Sequence, residues 1–135
     1  MLKSWIENKI NSMLVKYVKS TYRKIDVNPG ACRYNYKCHL NAVHEAIEHQ
    51  ESQIAMCMGI ENGTYPYIHF VNVNDEGEFW DNTLGRWSRW SEFYLMKIID
   101  STEFRDVDNI FGMYRDVLHR IFPWYLRIFN RTKEL

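Results

Sequence analysis

Residues 53–82 read QIAMCMGIENGTYPYIHFVNVNDEGEFWDN, and this stretch decides the fold. Three short runs rich in aromatic and β-branched residues are separated by two turn signals. Glu61-Asn62-Gly63-Thr64 joins the first two, and Asn-Gly between extended runs is a strong hairpin signal. Asn74-Asp75-Glu76-Gly77 joins the last two. Strands are expected at Gln53–Ile60, Tyr67–Val73 and Glu78–Asn82, paired as an antiparallel meander. Within the second run, alternation puts Tyr67, His69 and Val71 on one face and Ile68 and Phe70 on the other.

Upstream of the meander the period changes. From about Tyr36 to Glu51, Leu40, Val43, Ala46 and Ile47 recur at helical spacing, with Asn35 as the N-cap. Leu2, Trp5, Ile6, Ile10, Met13, Leu14, Tyr17 and Val18 mark an amphipathic helix over residues 2–22. Asp26-Val27-Asn28-Pro29-Gly30 reads as a turn or loop. Downstream, Phe93–Ile99 suits either a strand or a helix. A helix from Asp106 to Arg120 turns Ile110, Tyr114, Val117, Leu118 and Ile121 inward, and Pro123 interrupts it. The expected architecture is α+β: a helix laid on a small antiparallel sheet, with further helices at both chain ends.

The 135 residues suit a single domain spanning 1–135 that can bury a core without staples. No apolar run approaches the roughly 20 residues that cross a bilayer. Glu7 and Asn8 fall where a secretory signal would be apolar, so no leader is expected. The three cysteines, Cys32, Cys38 and Cys57, are then read as reduced thiols in a cytoplasmic setting. Formal net charge is zero but unevenly placed: residues 1–37 carry eight Lys/Arg against two Asp/Glu, 38–108 four against thirteen, and 109–135 five against two. The basic start is expected to dock against the acidic middle.

Three residues carry a candidate chemistry. Cys38 falls in the first turn of the second helix, where free N–H groups and the helix dipole stabilise an anion and lower a thiol's pKa. The same N–H groups suit a developing oxyanion. His69 lies near the start of one strand, and Asp81 lies on the next, where a carboxylate fixes an imidazole's tautomer and steadies its cation. Each alone is more often structural; the ordered set is more specific than its parts.

That order resembles the papain-like superfamily in its broad sense, including transglutaminase-like and NlpC/P60-like hydrolases. There a Cys opens a helix, a His begins a strand, and a polar residue follows on the next strand. More narrowly, Cys38-His39-Leu40-Asn41-Ala42, then Gly59, then His69-Phe70, then Asp81-Asn82-Thr83 is similar to short phage and bacterial proteins that carry Cys-x-x-Asn-Ala, a glycine, a histidine and Asp-Pro-Thr. The resemblance spans about residues 35–85. It implies a papain-like core with Cys38 as nucleophile, His69 as base and Asp81 as the orienting residue. It also implies Asn41 as a supporting residue one turn beyond Cys38. A papain-type oxyanion glutamine is absent, since Cys32 stands six residues before Cys38. Asn35, Tyr34 or Tyr36 is the donor expected instead.

The implied function is a cysteine-dependent hydrolase or acyltransferase acting on an amide, peptide or isopeptide bond. It would need no cofactor and would take a protein or peptide substrate. The alternative is a non-catalytic binding protein, such as a phage-type inhibitor of a host protein, that keeps the fold. Trp80, Trp87 and Trp90 are expected as a substrate rim. Arg86-Trp87-Ser88-Arg89-Trp90 also interleaves cations with rings, as nucleic-acid binders do, but a nucleic-acid partner is not expected. Nor is a membrane. The aromatic segment Ile121 to Phe129 is expected partly as core over Trp5, Ile6 and Ile10, and partly as a surface for a second copy or a host protein. His44-Glu45-Ala46-Ile47-Glu48-His49 is one residue too long for a zinc-protease helix, because five residues advance two rings to diverging faces. A zinc held by Cys32, Cys38, His39 and His69 lacks any Cys-x-x-Cys pair to support it.

Overall fold

The computed structural model describes residues 1–33 and 37–128. In chain order these form α1 (Leu2–Thr21), β1 (Arg23–Ile25), β2 (Val27–Pro29), α2 (Cys38–Glu48), β3 (Gln53–Glu61), β4 (Tyr65–Val73), β5 (Phe79–Asp81), a 3-10 helix (Gly85–Trp90), β6 (Ser91–Asp100), a second 3-10 helix (Ser101–Asp106), α3 (Val107–Arg120) and α4 (Trp124–Arg127). The class is α+β, as the alternation of periods predicts.

The six strands form one sheet in the order β1-β6-β3-β4-β5-β2. β3 and β4 pair antiparallel through Asn62-Gly63, whose positive φ angles of 51° and 76° meet the demand of a tight hairpin. β6 pairs with the other side of β3. That settles Phe93–Ile99 as strand. A register shift opposite Met56 and Cys57 leaves Met96 as the extra residue of a bulge.

Two findings depart from the expected meander. The Asp26–Gly30 loop contains β2, and Arg23–Ile25 forms β1. β1 closes one edge of the sheet against β6, and β2 closes the other in parallel with β5. Only Asp26 separates them. Consecutive Cα atoms lie about 3.8 Å apart, so one residue can join the two edges only if they come together. The sheet is therefore curled towards a barrel. Pro29 is tolerated because it sits on an edge strand.

Helices cover the outer surface of the curl. α1 buries Ile6, Ile10, Leu14 and Val18, one residue per turn. Each is worth about 1.5–3 kcal/mol of transfer free energy. The expected stripe was wider: Leu2 and Trp5 are exposed, and the Lys9 ammonium stands 5.0 Å over the Trp5 ring. β3 sends Ile54, Met56, Met58 and Ile60 to the helices, and Ala55 and Cys57 into the inner layer with Ile25, Val71, Val73 and Phe93. A strand covered on both faces reads as a continuous apolar run, as β3 does.

α2 corrects its expected inward stripe. Its buried residues are Asn41, Ala42 and Ala46, while Leu40 and Ile47 are exposed. The alanines let the helix lie close to β4. Asn72 of β4 donates to the Ala42 carbonyl at 2.8 Å and to Glu51 Oε1 at 3.2 Å. At the other end of the chain, Phe122 and Leu126 join the cluster of Ile6 and Ile10, whereas Trp124, Tyr125 and Ile128 face outward. The last residue of that aromatic segment, Phe129, lies outside the described residues. On α3, Ile110 and Leu118 are buried as expected, but Val117 is exposed.

Candidate active site

β5 is three residues long and pairs with β4 only at Asn72 and Val73. The edge of β4 is thus uncovered at His69 and Phe70, and the start of α2 docks there. Cys38 is the first residue of α2. Lys37, the N-cap residue, contributes no side-chain cap, and the positive end of the helix dipole falls at the residue that bears the thiol. Cys38 as a residue is half-buried. Its polar neighbours are the rings of His69 and His39 and the Phe70 main-chain N–H.

His69 is sealed. Its ring is bracketed by Tyr67 and Phe93, each with centroid 5.7 Å away. The Tyr67 hydroxyl is tied to Ser91 Oγ at 2.7 Å. His69 Nε2 stands 2.7 Å from Asp81 Oδ2. With Nε2 on the carboxylate, Nδ1 is the ring nitrogen left for Cys38. Asp81 is fully buried, and its second oxygen accepts the N–H groups of Thr83 at 2.9 Å and Leu84 at 2.8 Å. The turn after β5 therefore aims the carboxylate, and the carboxylate aims the imidazole.

Electrostatics follow from these contacts. Burial alone pushes the Cys38 thiol up, but the hydrogen bonds from His39 and His69 and the nearby imidazolium charge outweigh it, pulling it down to about 6. Burial alone pushes His69 down, but hydrogen bonds and charge from Asp81 and Cys38 outweigh it, holding the ring up at about 10. Both shifts favour the thiolate–imidazolium form of the pair. Cys57, directly opposite His69 on β3, is the contrast: burial pushes its thiol well up, and it donates to the His69 carbonyl at 3.4 Å.

Asn41 lies one turn into α2 and donates to Thr83 Oγ1 at 3.0 Å in a buried setting. The helix bearing the thiol is thus tied to the turn bearing the carboxylate. Asn82 extends the tie by donating to Asn72 Oδ1 at 3.0 Å and accepting from the Ala31 N–H at 3.1 Å. Thr83, Asn72 and Asn82 were not singled out from sequence as partners. Asn82 and Thr83 fall in the stretch similar to Asp-Pro-Thr, but neither that motif nor the strand pattern around Asn72 indicates which groups they meet.

Asn35 and Tyr36, the expected oxyanion donors, lie outside the described residues, as does Tyr34. The helix N-cap is Lys37, not Asn35. Trp80 is half-exposed on β5 and lines a small cleft with Glu45, Glu51, Asn74 and Asn82. Trp87 and Trp90 are exposed on the first 3-10 helix, each under its neighbouring guanidinium at 4.9 Å (Arg86) and 5.1 Å (Arg89). The Trp90 carbonyl accepts from Asn62 at the β3–β4 turn.

His39 is the residue that sequence reasoning missed as a member of the thiol site. Its Nε2 lies 3.1 Å from Asp108 Oδ1 on α3. Adjacency to Cys38 was the available signal; the carboxylate comes from a distant helix. Among the described residues, the three-residue grouping close enough to share one ion is Glu45, Glu48 and His49 on the exposed side of α2, not Cys32, Cys38, His39 and His69. No helix among the described residues is long and apolar enough to cross a membrane. No family model matches the chain, and neither does any curated protein or solved structure.

Proposed function

We propose that the chain is a cysteine-dependent hydrolase or acyltransferase of the papain-like kind, acting on an amide, peptide or isopeptide bond. The observation that carries this reading is buried His69, with Cys38 at a helix N-terminus beside its ring and the buried Asp81 carboxylate 2.7 Å from its Nε2. Cys38 attacks the carbonyl carbon as a thiolate, and the carbonyl π electrons move to oxygen, where first-turn N–H groups of α2 can donate. The tetrahedral centre collapses, the C–N bond breaks, and the leaving amine takes the proton from His69 Nδ1. Water or an amine then attacks the thioester, gives its proton back to His69, and the C–S electron pair returns to sulfur. Asp81 stays ionised throughout and holds the ring.

An activated ester tests the reading. The full chain is incubated with p-nitrophenyl acetate near neutral pH, and acyl adducts are located by mass spectrometry. Acetyl on Cys38 with little on Cys32 or Cys57, and loss of that preference in His69→Ala, is the expected result. If Cys38 acylates no faster than Cys32, or if His69→Ala leaves its rate unchanged, Cys38 is not an activated nucleophile.

A further inference from the structure

Cys38 meets two imidazoles, and the mechanism above uses one. His39 follows Cys38 in α2, and its ring is a polar neighbour of the same thiol. Adjacent residues on a helix ordinarily point apart, so this contact needs an outside hold on the ring. α3 supplies it. Asp108 Oδ1 takes His39 Nε2 at 3.1 Å, and Phe111 lies flat against the ring, with centroids 6.0 Å apart and planes 5° apart. Phe70 of β4 flanks the ring, tilted, at 6.0 Å. With Nε2 on Asp108, Nδ1 is the nitrogen left to face sulfur.

The two imidazole–carboxylate pairs differ in their access to water. The side chains of His69 and Asp81 are 4% and 0% exposed, whereas those of His39 and Asp108 are 24% and 76% exposed. We propose that His39, aligned by Asp108, is a second catalytic imidazole of the site, holding the Cys38 thiolate from the solvent side while His69 holds it from the sheet side. This rests on the reading of Cys38 as a nucleophile. In thioester breakdown the incoming oxygen or nitrogen bonds to the carbonyl carbon, its proton goes to His69, and the C–S pair returns to sulfur. A hydrogen bond from His39 Nδ1–H to that sulfur makes it a better leaving group. The charged groups around His39 are Cys38 and Lys37 of α2, Asp108 of α3, and Arg115 of α3, whose guanidinium lies 4.6 Å over Phe111. The Cys38 hydrogen bond, with the charges of Cys38 and Asp108, favours the imidazolium against burial and Lys37.

The test is the pH profile of Cys38 alkylation by iodoacetamide, read by mass spectrometry from about pH 5 to 9 on the full chain. The variants are His39→Gln, Asp108→Asn and His69→Ala. Losing one hydrogen bond from a cation should raise the inflection of His39→Gln by about one pH unit, a roughly tenfold slower reaction at pH 6. Its rate at pH 9 should stay within about twofold of the parent. Asp108→Asn, on an exposed helix surface, should shift the inflection the same way by less, and it decides the matter if His39→Gln does not fold. Profiles of both variants that overlay the parent, while His69→Ala slows, overturn the role of His39 and leave the Cys38–His69 reading standing. Equal slowing at every pH also overturns it, since that is the mark of a disturbed fold. If His69→Ala too is unchanged, both readings fall.

Discussion

His69 Nε2 and Asp81 Oδ2 lie 2.7 Å apart with both side chains closed to solvent. A buried charge stripped of its partner is costly, so Asp81→Ala should lower stability by about 3–5 kcal/mol. Asp81→Asn keeps the shape but not the charge. It should lose less stability, yet slow Cys38 alkylation near neutral pH. Denaturant melts and alkylation rates on the two variants check this. Asp81→Asn with an unchanged alkylation rate would show that the carboxylate charge does not reach the thiol.

Cys38 and His69 make stability depend on pH in opposite directions. Cys38 is lowered from 9.0 to about 6, so alone it contributes stability above about 9 that is lost as pH falls through about 6. His69 is raised from 6.5 to about 10, so alone it contributes stability in full below about 6.5 that is lost as pH rises through about 10. Between about 6.5 and 9 the folded pair holds one proton, on the ring, and the unfolded pair also holds one, on the thiol. The counts match, and the slopes cancel. The stability difference between the parent and the double variant Cys38→Ala/His69→Ala should be flat there and fall between about 9 and 10. Melts in matched buffers measure it, and a steady climb across pH 6.5–9 contradicts the ion pair.

Asn41 and Thr83 should couple. Their side-chain bond at 3.0 Å is buried, so Asn41→Ala leaves the Thr83 hydroxyl short of a partner and should cost about 1–3 kcal/mol. Thr83→Val should cost less once Asn41 is already alanine. A double-mutant cycle gives the coupling, and a coupling near zero means that α2 is not held through this bond.

The C-terminal aromatics should divide by burial. Phe122 is 1% exposed within the core cluster, whereas Trp124 is 75% exposed. Phe122→Ala should lose about 3–5 kcal/mol, and Trp124→Ser should stay within about 0.5 kcal/mol. Thermal melts separate them. A large loss for Trp124→Ser in the isolated chain would mean that its ring is covered, for instance by a second copy.

Local chemistry was enough to place α1, α2, α3 and strands β3 to β5, because each carries its own period or its own turn residues. Asn62-Gly63 between two extended runs signals a hairpin locally, and Cys38 opens a helix because the apolar spacing of α2 begins beside it. His69 and Asp81 were legible as a pair because one short turn at Asn74–Gly77 brings adjacent strands into register. What the tertiary structure alone decided depends on contacts with no local signal. β1 and β2 are too short to show a period, and their strand form comes from edges that the curled sheet offers. The buried face of α2 passes through Asn41, Ala42 and Ala46 rather than Leu40 and Ile47, because close approach to β4 favours small side chains and the tie to Thr83 favours the amide. His39 reads as an unremarkable neighbour of Cys38 until α3 folds back. Only then do Asp108 and Phe111 fix its ring, since a distant carboxylate leaves no trace in the spacing of the residues that it orients.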